Sequence, residues 1–114
     1  MPRIAESFDA SAVEWRKVSD PTETEFLIDF DYSLLGYDHE SGRLDMLLRF
    51  HDNGGHCRRH RHIASTVTLI LEGEQHVEEV QPDGSTKSIV RKKGEYALAG
   101  ADALPHLERG GPNG

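Results

Sequence analysis

His60-Arg61-His62 places two imidazoles two residues apart. On an extended strand, residues i and i+2 project to the same face, so both rings can address one metal ion. The residues that follow, 66–71, are β-branched and apolar and predict a strand. Gly54 and Gly73 bracket the segment and allow the chain to turn into and out of it. A third imidazole, His106, follows a turn-rich stretch and Pro105, and can close the set. Neutral imidazole binds Fe(II), Ni(II), Zn(II) and Cu(II) well. Three such ligands on one side of an ion leave the other side open to water, substrate or O2, which is a catalytic arrangement rather than a closed structural one.

The surrounding elements read as strands. Leu44, Met46, Leu48 and Phe50 alternate with polar neighbours, and Phe26, Ile28 and Phe30 do the same between 25 and 32, with Leu27 breaking the pattern. Further strands are expected at 13–18, 65–71, 75–80, 85–93 and 95–99. Turns are expected at Asp20-Pro21-Thr22, at 38–42, at 52–55, at Gly73 and at Pro82-Asp83-Gly84. Short strands separated by turns every eight to twelve residues predict an all-β barrel or sandwich. Residues 1–12 read as a loose N-terminal arm, and the 114 residues as one domain, 1–114.

The order Gly54, five residues, His60-x-His62, Thr66, six residues, Gly73 resembles the first cupin motif. Gly94, five residues, Gly100, Ala101, Asp102 and then Pro105-His106 is similar to the second, with Gly100 in place of proline, Asp102 in place of glycine and a loop one residue longer. The resemblance covers roughly residues 43–110. It implies a cupin (double-stranded β-helix, or jelly-roll) barrel with His60, His62 and His106 as ligands of one divalent transition metal. Fe(II) is the leading expectation, with Zn, Ni or Mn as alternatives. Thr66 stands where the family usually has a glutamate ligand, so the expected ligands are all neutral and the ion keeps a charge of about +2.

Such a centre favours a small bidentate anion. Cupins with three histidines and no carboxylate include iron dioxygenases that cleave diketones and hydroxyacetophenones, so the implied activity is dioxygenase-like, on a β-diketone or hydroxy-ketone. Thr66 and Tyr96 are the candidates for contacts around the metal or substrate. Two other classes stay open: a metal-free sugar isomerase or epimerase with a histidine as general base, and a binding module that senses zinc or a small ligand. A family-typical barrel continues past the third ligand by at least one strand. The expectation is therefore that the C-terminal strand is trimmed or that a neighbour covers the barrel edge, and a homodimer is expected on that ground.

Composition narrows the partners. A net charge of −7 and a pI of about 5.4 argue against nucleic acid. Arg58, Arg59 and Arg61 form the one basic cluster, read as a solvated edge. The single cysteine, Cys57, excludes an intrachain disulfide and fits a reducing, cytoplasmic setting. Cys57 reads as a bystander facing away from His60. The N-terminal residues carry Glu6 and Asp9 and no apolar run, so a signal peptide is not expected, nor a membrane span. Among the other histidines, His56 is expected in a turn, His51 and His76 beside the interior or on the surface, and His39 in solvent.

Overall fold

In the computed structural model, which describes residues 6–57, 64–101 and 104–114, the chain is all-β, with eight strands among the described residues. They are β1 (Arg16–Ser19), β2 (Asp29–Asp38), β3 (Arg43–Arg49), β4 (Thr66–Leu69), β5 (Glu74–Val80), β6 (Thr86–Lys92), β7 (Tyr96–Ala99) and β8 (His106–Gly110). They form three sheets, ordered β1-β2-β3, β4-β7 and β6-β5-β8, and every ladder is antiparallel. No sheet closes on itself among the described residues. No helix of the described residues is long and apolar enough to cross a membrane.

The turns follow the glycines. Gly42 sits at φ 73° between β2 and β3, where its N–H donates to the Asp38 carbonyl at 2.8 Å. Gly84, at φ 85°, closes the β5–β6 hairpin, and Asp83 caps the same turn by accepting from Ser85. Near the N-terminus, Asp9 caps a short 3-10 turn at Ala10–Ala12, and the indole N–H of Trp15 donates to the Ala10 carbonyl at 3.0 Å. Residues 10–12 of the expected loose arm are thereby pinned.

Strand β2 differs from the sequence expectation. Phe26, Ile28 and Phe30 suggested a strand ending at residue 32, yet the ladder begins at Asp29 and runs ten residues to Asp38. Ile28 instead forms an isolated parallel bridge with His56. The second half of β2 was hidden by a bulge between Leu34 and Gly36, which places an extra residue in the strand and breaks the alternation.

Residues 27–29 and 55–57 pair through an isolated parallel bridge. The His56 N–H donates to Leu27 O at 2.8 Å, and the Asp29 N–H to His56 O at 3.2 Å. His56 also bridges Arg109 on β8, so this short segment joins the first sheet to the third. Ile28, the most buried large side chain among the described residues, lies here with buried Cys57. Val77, Leu107 and Ile70 are the other buried apolar residues among those described. The alternating apolar residues of β2 and β3 are not buried: Leu34, Leu44, Met46 and Leu48 are 40–57% exposed. Leu34 pairs directly with Met46, so the four occupy one sheet face.

Candidate metal centre

Of the three expected ligands, His60 and His62 lie outside the described residues, as do Arg58, Arg59 and Arg61. His106 opens β8. In the β5–β8 ladder it pairs with Glu79, while Glu108 pairs with Val77 and Gly110 with Gln75. Strand alternation therefore sets His106, Glu108, Val77, Gln75 and Glu79 on one face, and Leu107, Arg109 and His76 on the other. The first face also carries Ile89 and Arg91 from β6.

That face is both buried and polar. The side chains of His106 and Glu108 are each 11% exposed, and His106 Nε2 lies 3.0 Å from Glu108 Oε1. On the other side of the ring, Nδ1 is 3.3 Å from the Leu104 carbonyl oxygen. The Gln75 amide oxygen, buried on the same face, accepts from Arg91 Nη1 at 2.9 Å.

These contacts constrain the imidazole. Both ring nitrogens face oxygen acceptors, while a neutral ring has a single N–H. With Nδ1–H donated to Leu104, a proton on Nε2 completes the ion pair with Glu108. The ion pair with Glu108 raises the His106 pKa above its ordinary value, against a smaller lowering by burial and by Arg91. Donation of Nδ1–H to a backbone carbonyl is also the arrangement that fixes the tautomer of many metal-binding histidines; here the Nε2 side is taken by the ion pair with Glu108.

The chain reaches this face next to the histidine segment. The Cys57 N–H donates to the Glu108 carbonyl at 3.0 Å. Cys57 thus sits against β8, three residues before His60 in the sequence. Burial, reinforced by the Glu108 charge, pushes the thiol up to about 12, so Cys57 stays a protonated thiol at neutral pH.

Thr66 and Tyr96 lie on opposite faces of the β4–β7 pair. Thr66 pairs with Ala99 and Thr68 with Ala97, whereas Tyr96 pairs with Leu69 and Leu98 with Val67. One face is therefore small and weakly polar, and the other is apolar and exposed, with Tyr96 56% accessible. The two residues do not line the same wall.

Two groups were not singled out from the sequence. Glu108 is one; its signal was the His106-x-Glu108 spacing, the same i, i+2 rule that drew attention to His60 and His62. The other is the Asp31 cluster. Asp31 Oδ2 accepts from Arg49 Nε at 3.0 Å and Nη2 at 2.7 Å, and lies 2.7 Å from His51 Nε2. The Arg49 guanidinium stacks 4.4 Å from the Trp15 ring centroid. Burial alone would raise the Asp31 carboxyl, but the hydrogen bonds from Arg49 and His51 outweigh it and hold the pKa below the usual carboxylate value. His51 is thereby a partner of Asp31. His76 pairs with Glu74 at 2.8 Å, and His56 Nδ1 lies 2.7 Å from the Gly54 carbonyl. Among the described residues, no three metal-binding side chains converge.

Comparisons with protein-family models, with curated proteins and with solved structures found no match to this chain.

Proposed function

We propose that the chain is a cupin barrel that binds one divalent transition metal, foremost Fe(II), through His60, His62 and His106. Its activity is a dioxygenase-type cleavage of a small chelating anion such as a β-diketone or hydroxy-ketone. The observation that carries the reading is His106: a nearly buried ring whose Nδ1 is held at the Leu104 carbonyl and whose Nε2 lies beside the Glu108 carboxylate. The Cys57–Glu108 hydrogen bond supports it by holding Cys57, three residues before His60 in the sequence, beside the same strand.

When bound, the ion would supply Lewis acidity toward the enolate and a redox partner for O2. The chain's own part is to orient and to exclude. Leu104 fixes the His106 tautomer, Glu108 supplies negative charge beside the ring, and Ile89 and Val77 give that face an apolar margin. Thr66 remains the residue proposed to face the site at the motif's glutamate position. The exposed apolar face of β2 and β3 supports the proposed homodimer, and the buried Cys57, the single cysteine of the chain, suits a reducing, cytoplasmic compartment.

The test is metal analysis of protein purified without a histidine tag, followed by anaerobic loading with Fe(II) and measurement of O2 uptake with a β-diketone. One O2 consumed per carbon–carbon bond cleaved is the expected result. A second reading takes the His106–Glu108 pair as a metal-free acid–base dyad of a sugar isomerase or epimerase, on the strength of the raised His106 pKa. Protein that binds no metal at any loading but interconverts sugars would favour that alternative.

A further inference from the structure

We propose that the apolar face of the β1-β2-β3 sheet is the surface on which a second copy of this chain docks. The inference rests on the homodimer of the reading above and gives it a place; it is independent of the metal and of the activity.

Strand alternation decides which side chains share this face. The pairs Tyr32–Leu48, Leu34–Met46 and Tyr37–Leu44 lie on one side of the β2–β3 ladder, because the bulge at Leu34/Gly36 returns Tyr37 to the side of Leu34. Leu34, Tyr37, Leu44, Met46 and Leu48 are all exposed there. The acidic residues of the two strands, Asp29, Asp31, Asp38 and Asp45, fall on the opposite side. Lys17, Arg49 and Arg43 join them there and pair with Asp29, Asp31 and Asp45. Among the described residues of the three strands, Arg16 is the one charge on the apolar side.

The bare surface is large enough for a dimer. A folded monomer of 12.8 kDa exposes about 6,300 Å². This chain exposes 7853 Å², about 1,600 Å² more. A standard interface covers about 800 Å² of each partner, so the excess is about twice what one such contact needs. The strand nearest the C-terminus does not call for a neighbour. β8 has β5 on one side, and on the other it has the Cys57 N–H on Glu108 and the His56–Arg109 bridge. The contact therefore belongs to the first sheet.

The chemistry of the face selects the occupant. A partner recognised by charge has only Arg16 to read there. Two copies of an acidic chain approach best where neither shows its acids, and a two-fold contact sets this face against itself. Each copy still carries −7. Salt should therefore tighten the contact, the reverse of its effect on an interface of ion pairs.

The test is sedimentation of the full chain over a range of concentrations at 0.1 M and 1 M salt, which shortens the screening length from about 10 Å to about 3 Å. Wild type is expected to show a monomer–dimer equilibrium that is tighter in 1 M salt. Leu34→Lys and Met46→Lys are each expected to weaken it by about 100-fold or more, since each sets like charges across the two-fold contact. Leu98→Lys, on the exposed face of the β4–β7 pair, is expected to leave it unchanged. Should the lysine variants fail to fold, wild type carries the test through Met46, whose thioether reacts with hydrogen peroxide. Its oxidation is expected to be about 10-fold slower in the dimer than in diluted monomer.

If wild type stays monomeric at both salts, the homodimer itself falls. If it dimerises but the folded Leu34 and Met46 variants dimerise equally well, if Met46 oxidises at one rate in both states, or if Leu98→Lys alone dissociates the pair, the homodimer stands and this face is not its interface. Monomer that floats with neutral phosphatidylcholine vesicles would give the face to a lipid surface and overturn the proposal.

Discussion

The Cys57 amide donates to the Glu108 carbonyl at 3.0 Å, and with the His56–Arg109 bridge it fastens residues 56–57 to the strand that carries His106. It also fixes the environment of the thiol, which is buried and faces the Glu108 charge. With its pKa pushed up to about 12, about one thiol in ten thousand is ionised at pH 8, and thiolate is the reactive form. Cys57 should therefore react with a disulfide reagent at least about 100-fold faster in denaturant than in the native protein. Equal rates in the two states would show that the segment opens freely.

If the proposed metal binds, His106 should make opposite contributions in the protein with and without it. Its folded pKa is raised above the ordinary 6.5. The ion pair with Glu108 thus contributes stability that is fully present below about pH 6.5 and is lost as pH rises through the higher folded value. Metal must displace that proton, so metal affinity should fall as pH drops, beginning above the range of an unperturbed histidine. Melting curves with chelator and with Zn(II), from pH 6 to pH 9, should show the metal increment growing as the metal-free contribution shrinks. His106→Ala should flatten both trends.

Asp31→Asn should cost about 1–3 kcal/mol, the scale of hydrogen bonds to a charged group, toward the lower end because Arg49 and His51 are partly exposed. The Asp31 pKa is lowered in the fold. Its contribution is present above about pH 3.9 and is lost as pH falls through the lower folded value. Urea titrations at pH 7 and pH 3 should therefore show a smaller difference between wild type and variant at pH 3 than at pH 7.

Two glycine substitutions should differ for a geometric reason. A Cβ at Gly55 would sit 2.2 Å from the Asp29 carbonyl oxygen, a backbone atom that cannot swing aside. Gly55→Ala should therefore push apart the pairing of residues 27–29 and 55–57 and cost about 1–3 kcal/mol. A Cβ at Gly84 meets no atom, and only the φ of 85° opposes it, so Gly84→Ala should cost about 1 kcal/mol. Chemical denaturation of the two variants gives the comparison directly.

The hairpins were legible because their signals are local. Pro82-Asp83-Gly84 and the 38–42 turn each carry their own conformational preference, and the structure places turns at both. The limits of β2 were not legible. Phe26 and Ile28 continue the alternation of a strand but are held by a segment far along the chain, and the bulge at Leu34/Gly36 resets parity beyond them. Glu108 was missed for a related reason. In Leu107-Glu108-Arg109-Gly110 it looks like a surface charge, and only its pairing with Val77 reveals that it faces inward. His106 was legible as a chemical group from its place after Pro105, but its acidic neighbour was not.

The apolar stripe of Leu34, Leu44, Met46 and Leu48 also bears on how the protein behaves as a solute. A net charge of −7 keeps copies apart at neutral pH in dilute buffer. Salt shortens the reach of that repulsion to about 10 Å at 0.1 M and about 3 Å at 1 M, and acid near pH 5.4 removes it. Either change leaves the stripe free to stick to its like, so colloidal stability is governed by the buffer as much as by the fold.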